Sequence, residues 1–323
     1  MGMKLSVLDL VPILDGQTAG DSYRNTLELA RHAEKLGFER FWMAEHHDAE
    51  GIGSSAPEIL IGYVAQGTST IRVGSGGIML PNHATLHIAE VFRTLETLSP
   101  GRIDLGLGRA PGAGSRAAVA LRRGGSLHAD DFPDQVEDLI SYLTDDLPLK
   151  ATPVGTAVPE IWMLGSSDFG ARLAAEMGLP YAFAAHFSKL DPVAIMRLYR
   201  GSFKPSRWLA EPKYMVACHV ICASTDEEAE DLALSSDLFS AMFARLGTAT
   251  PLQSVPSARE AGLTPDIRDA LRQAFPKFVG SPETVRRQIE PILEGVDELM
   301  ILSMIYDQEA RRESYRLVSE AFS

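Results

Sequence analysis

Strand-like and helix-like segments alternate from one end of this chain to the other. This pattern builds a parallel sheet, because parallel neighbours need a crossover and a helix is the usual one. Eight short runs rich in β-branched and apolar residues are predicted as strands, at residues 4–13, 41–45, 71–80, 103–107, 161–165, 181–185, 214–223 and 299–304. Between and after them, apolar residues recur at spacings of three and four, as in Leu27, Ala30, Ala33 and Leu36, or Leu86, Ala89, Phe92 and Leu95. That period marks helices at 22–36, 57–67, 83–98, 131–143, 168–177, 192–203, 226–246, 282–293 and 308–322. Eight strand–helix units with no linker or composition break predict one α/β domain over residues 1–323, a single (β/α)8 TIM barrel. A doubly wound open sheet is the alternative, since strand order is not written in sequence.

Two stretches exceed the minimal repeat and read as insertions after strands four and seven. Residues 111–128 are rich in Gly, Ala and Arg, and residues 247–277 carry four prolines with weak periodicity. Insertions on a barrel are expected to act as lids or binding loops. Helices 57–67 and 83–98 hold more apolar residues than one barrel face requires, which predicts a homodimer.

Composition narrows the partners. At 45% apolar over 323 residues, the chain can bury a large core without a disulfide or structural metal. Its formal charge of -13 and lack of a basic stripe disfavour nucleic acid. No window approaches a membrane-spanning run and the start lacks a signal-peptide pattern, so a cytoplasmic protein with no membrane partner is expected. Cys218 and Cys222 lie four apart on one strand, about 13 Å at strand rise and beyond disulfide reach, and read as reduced packing residues.

In a barrel the strand ends converge on one mouth. Strand two ends in Glu45-His46-His47, of which alternation turns one histidine inward. Strand three contains Gly74-Ser75-Gly76-Gly77, and glycines inside a strand mark a bulge or a ligand lying on the backbone. Strand four ends in Arg109. Strand five ends in Gly165-Ser166-Ser167 just before a helix, with Gly170 in its first turn. Hydroxyls, free helix N–H groups and an arginine from the neighbouring strand read as a phosphate site. His83 and His87, at helical spacing, could share a metal, but no carboxylate pair completes a site. Glu45 with Asp104 could be a glycosidase pair, yet nothing fixes their separation.

These strand ends, in this order, resemble the bacterial luciferase family of flavin-dependent monooxygenases. The resembling segments are residues 38–48, 71–81, 98–109 and 165–180, with weaker similarity along the whole chain. The resemblance implies a barrel that holds FMN at its mouth, reduced flavin delivered by a separate flavin reductase, and oxidation of a small organic substrate with O2. It implies phosphate binding by Arg109, Gly165, Ser166, Ser167 and Gly170, and a non-proline cis peptide at Gly76-Gly77 under the flavin ring. It assigns catalysis to His46 with Glu45 beside it, in a mouth kept apolar by Trp42, Met79 and Met304. Pro111 departs from the light-emitting members, whose backbone N–H at this position contacts phosphate, so a non-luminescent relative is implied. Two alternatives stay open. One is an F420-dependent hydride-transfer enzyme on the same barrel, whose acidic cofactor tail suits this acidic chain poorly. The other is a non-catalytic flavin-binding protein.

Overall fold

A computed structural model describes residues 2–109, 115–121 and 131–323. Ten strands form one sheet: β1 (Lys4–Asp9), β2 (Arg40–Met43), β3 (Arg72–Ser75), β4 (Ile78–Met79), β5 (Ile103–Gly108), β6 (Glu160–Gly165), β7 (Tyr181–Ala184), β8 (Tyr214–Cys222), β9 (Lys277–Gly280) and β10 (Glu298–Leu302). Every pairing is parallel, in the order β1-β2-β3-β5-β6-β7-β8, and β10 joins β8 back to β1. The sheet is therefore closed, and the TIM barrel, not the open sheet, is the fold.

Helices α1 (Ala19–Lys35), α2 (Pro57–Gly67), α3 (Thr85–Leu98), α4 (Ser115–Leu121), α5 (Phe132–Leu143), α6 (Asp168–Met177), α7 (Pro192–Ser202), α8 (Asp226–Leu246), α9 (Val255–Glu260), α10 (Pro265–Ala274), α11 (Pro282–Ile289) and α12 (Gln308–Phe322) follow the strands. Outward strand residues such as Val7, Phe41, Val73 and Leu105 share one apolar core with inward helix residues such as Leu29, Ile61 and Phe92. Thr18 starts α1 with a reciprocal capping box to Asp21, and Gly247 ends α8 in the left-handed conformation at φ 72°.

Three predicted elements differ in detail. The third strand is interrupted after Ser75, and there the Ser75 hydroxyl bonds the carbonyl and N–H of Gly106 in place of a backbone ladder. The stretch 247–277 is more regular than its weak periodicity suggests. It holds α9 and α10 and leads into β9, which pairs with His219–Cys222 of β8. The amphipathic signal is weak because α10 buries no residue fully and is tied down by charge, with Arg268 and Arg272 bonded to Asp237 and Glu230 of α8. His83 precedes α3 instead of lying on it with His87.

Inside the barrel, alternate strand residues stack in layers. The lowest layer is ionic: buried Arg40 holds Asp104 at 2.7 Å and Glu298 at 2.7 Å, Arg72 also binds Asp104, and Lys213 binds Glu160 at 2.8 Å. Asp104 thus belongs to a structural network and not to a catalytic carboxylate pair. Above it, Trp42 and Trp162 meet edge to face at 5.5 Å, with the Trp42 N–H donated to Asp104 at 2.8 Å. Removing one partner from a buried charge network strands the others. Arg40→Leu should therefore cost about 3–5 kcal/mol in denaturant unfolding, whereas Arg197→Leu at the exposed Arg197–Glu294 pair should cost under about 1 kcal/mol. Equal losses in the two variants would contradict the floor's ionic role.

Candidate active site

Over the tryptophan layer the barrel is open, with a cavity of about 240 Å³ at the C-terminal strand ends. Leu8, Ala44, Leu164, Ala182, Ala217 and Met300 line it where other barrels of this class carry a third layer of bulky side chains. Met79 joins this apolar lining. Met304 packs with Leu14 and Leu252 in the same apolar cluster but outside the lining.

Gly76 and Gly77 form part of the cavity wall and are joined by a cis peptide bond. A side chain fits at neither. A Cβ on Gly76 would lie 2.7 Å from Leu8 Cδ1, and one on Gly77 would lie 2.6 Å from the Gly106 carbonyl oxygen. The close packing against Gly106 and Leu8 thus requires glycine at both positions, and what they give the cavity wall is backbone alone.

Glu45, expected beside His46 among the catalytic groups, is not among the described residues that line the cavity. Its carboxylate is completely buried. One oxygen accepts from His47 Nε2 at 2.8 Å and His83 Nε2 at 2.9 Å, and the other accepts from the Met79 N–H at 2.7 Å. Burial by itself would raise the Glu45 pKa, but the bond and charge of His83, then the His47 and Met79 bonds, outweigh it and lower the pKa. His83 answers in kind: burial lowers its pKa, and Glu45 reverses this to a net rise. Through these bonds Glu45 fastens the end of the second strand to the segment after the glycines.

His46 has the opposite parity and faces the cavity. Its Nδ1 is buried with no hydrogen-bond partner among the described residues. Burial, aided by nearby His47 against Glu45, brings its pKa down to about 4, so the ring is neutral near pH 7. The His46 N–H donates to the Ser54 carbonyl at 3.1 Å, which closes the loop after β2 on itself.

That loop is gripped from outside. Gly51 donates to the Ala249 carbonyl at 2.9 Å and accepts from the Ile13 N–H at 2.9 Å, while Thr248 Oγ1 donates to the Asp48 carbonyl at 2.7 Å. A Cβ at Gly51 would fall 1.9 Å from the Thr250 carbonyl oxygen. The insertion after strand seven was expected to be a lid or binding loop. Its residues 247–277 do not line this cavity, and their first part braces the His46 loop. The other insertion lies mostly outside the described residues, including Pro111.

At the far side, Arg109, Gly165, Ser166, Ser167 and Gly170 converge on the cavity. Ser167 is the N-cap of α6, yet its hydroxyl makes no cap bond and is available to a ligand beside the helix N–H groups. Arg109 lies 4.0 Å over the Phe169 ring, and among the described residues no carboxylate pairs with it. A Cβ at Gly165 would approach the Tyr181 hydroxyl to 3.0 Å, so glycine keeps this corner open to the backbone. A cation, two hydroxyls and a helix start are together the groups that could hold an anion here.

Sequence reasoning missed His186. It follows β7 on the one-turn 3-10 helix Ala185–Phe187 and lines the cavity. The signal was present, because Ala182, Ala184 and His186 repeat the alternation of Trp42, Ala44 and His46.

Residues 3–296 match the family of luciferase-like monooxygenases. The Bacillus subtilis (strain 168) protein YvbT is 46% identical, with 98% of this chain and 96% of that protein covered. An Escherichia coli (strain K12) luciferase-like monooxygenase is 41% identical at 98% and 96% coverage. Of solved structures, apo-MsnO8 matches at a TM-score of 0.93 and 39% identity over 99% of this chain and 98% of that one. Two further structures share the fold alone. They are the oxygenating constituent of 3,6-diketocamphane monooxygenase of Pseudomonas putida in complex with FMN, at TM-score 0.73 and 20% identity over 99% and 97% of the chains, and an F420-dependent secondary alcohol dehydrogenase, at 0.72 and 14% over 100% of both. The chain belongs to the luciferase-like monooxygenase family.

Proposed function

We propose that this protein is an FMN-dependent monooxygenase that receives reduced flavin from a separate reductase and uses O2 to oxidise a small organic substrate. The observation that carries this reading is that one cavity joins a glycine wall to an anion site. Gly76 and Gly77 put backbone without side chains on the cavity wall, which suits a planar ring, and Arg109 with Ser166 and Ser167 suits a phosphate. Reduced FMN, when bound, supplies the electrons that activate dioxygen. The protein's own residues do the rest: the apolar lining of Leu8, Leu164, Met79 and Met300 keeps water out, and His46 presents a neutral imidazole to the reacting region. A pKa near 4 makes His46 a hydrogen-bond partner or a base that passes a proton on, since holding one at pH 7 is unfavourable.

The wild-type protein should quench FMN fluorescence on binding and bind F420 more weakly. Arg109→Ala should weaken FMN about tenfold or more, the scale of a lost charge-assisted bond. Unchanged affinity would remove Arg109 from the phosphate site, and preference for F420 would move the reading to hydride transfer.

His46→Ala should retain FMN binding while substrate oxidation falls at least a hundredfold and reducing equivalents are lost to hydrogen peroxide. Because only the neutral ring works, its acid limb in a pH–rate profile should fall near pH 4 and leave the His46 contribution flat from pH 5 to 8. Tight FMN binding with no oxygen-dependent turnover in a broad substrate screen would instead favour a non-catalytic flavin-binding protein.

The assembly we propose is a homodimer through α2 and α3. Ile59 and Tyr63, one turn apart on α2, are 69% and 41% exposed, and Leu98 at the end of α3 is 60% exposed. Light scattering should report twice the chain mass for the wild type and a shift toward monomer for Ile59→Glu. A wild-type monomer at micromolar concentration would refute this interface. Among the described residues no helix is long and apolar enough to cross a membrane, and Cys218 and Cys222 are buried free thiols. These features support a cytoplasmic setting, where a reductase could supply flavin.

A further inference from the structure

Most of the cavity lining cannot hydrogen-bond through its side chains. Among the described lining residues the polar side chains are Trp42, His46, Arg109, Ser166, Ser167 and His186. Trp42 donates its only N–H to Asp104, and Arg109, Ser166 and Ser167 cluster at the anion site. His46 and His186 remain for whatever lies between. They occupy matching places, each two residues beyond a cavity-lining alanine at a strand end, Ala44 just after β2 and Ala184 at the end of β7.

His186 is held firmly. Its Nδ1 lies 3.2 Å from the Ala217 carbonyl, and a carbonyl can only accept, so the proton is on Nδ1 and the Nε2 lone pair is bare. Nε2 has no partner among the described residues. The turn that carries the ring is pinned on its other side by Ser188, which donates to the Ser166 carbonyl at 2.8 Å, and the ring meets Phe187 edge to face at 4.7 Å.

We propose that His186 is a second ligand-facing histidine of this cavity, a neutral acceptor that recognises an O–H or N–H group on an uncharged organic substrate. The inference rests on reading the cavity as the place where that substrate is oxidised. An uncharged substrate follows from the lining, which offers no Asp, Glu or Lys among the described residues and whose one arginine lies at the anion site. A charged group buried there would lack a counter-ion. Burial lowers the His186 pKa to about 4 against the Ala217 bond, with His46 pushing the same way, so both rings stay neutral together. His46 answers to the reacting centre, and His186, across the barrel just after β7, fixes the orientation of the substrate.

The test uses the full-length protein with 15N-labelled histidine. Two-bond 1H–15N spectra at pH 7 are assigned by loss of peaks in His186→Phe, which keeps an aromatic ring beside Phe187. His186 is expected to carry its proton on Nδ1. Benzyl alcohol, an uncharged O–H donor, should move the Nε2 resonance upfield, and benzoate, charged and without a donor, should not. His186→Phe should bind benzyl alcohol about tenfold more weakly, the scale of one hydrogen bond. A proton on Nε2, an unmoved Nε2 resonance throughout the benzyl alcohol titration, an equal response to benzoate, or equal affinity in His186→Phe would each overturn the proposal. FMN fluorescence in the same samples reports on the cofactor reading separately: without FMN binding that reading fails, while the histidine spectra still decide the role of His186.

Discussion

The interior of an eight-stranded barrel is just wide enough to be filled by its own side chains, so any empty space in it must be arranged by filling the rest securely. Here the lower interior is filled by two layers of large residues. Arg40, Arg72, Asp104, Glu160, Lys213 and Glu298 make the floor, and Trp42 and Trp162 stack above it. The guanidinium of Arg40 also lies 4.9 Å from the Trp162 ring centre, so the two layers are one unit. With closure secured below, the upper positions can fall to alanine and glycine. Ala44, Ala182, Ala217, Gly76 and Gly77 are the residues that keep the cavity open.

A cavity walled by small residues still needs its shape fixed, because glycine-rich backbone has many conformations. Glu45 supplies much of that restraint through three bonds from its buried carboxylate. The brace at Gly51 supplies more, since Thr248 and Ala249 bond to the loop that carries His46. In both cases polar groups just outside the cavity fix the groups that face it, which is the arrangement preorganised sites require.

The strand–helix alternation, the glycine wall and the inward histidine were legible because each follows from a short-range rule, whereas closure of the barrel rests on the pairing of β10 with β1 and β8. Alternation separates His46 from His47, and strand glycines flag close backbone approach at Gly76-Gly77. What stayed hidden depends on long-range pairing. Nothing local distinguishes Asp104, a network member, from a catalytic acid, because its partners Arg40 and Arg72 come from other strands. The partners of Glu45 could not be read from its junction, since His83 and the Met79 N–H lie more than thirty residues on. The strand β9 escaped notice because its four residues begin with a lysine whose charge is satisfied by Asp237 of α8.

The ionic floor and the neutral mouth are two answers to one electrostatic problem. Charges inside a barrel must be paired, and the floor pairs them across four or more strands at the cost of rigidity, which is harmless below the site. At the mouth a fixed counter-ion would occupy the space a ligand needs. Imidazoles meet that requirement, because burial drives His46 and His186 to their neutral forms with no partner charge. Each then offers one lone pair to the cavity without a permanent charge to be solvated. Among the described lining residues the cation is Arg109, which lies over Phe169 beside the start of α6, where on the proposed function an incoming anion would become its counter-ion. Among the described residues charge is therefore paired by the chain at the floor and again at Glu45, kept neutral by burial at His46 and His186, and, on the proposed function, completed by a ligand at Arg109.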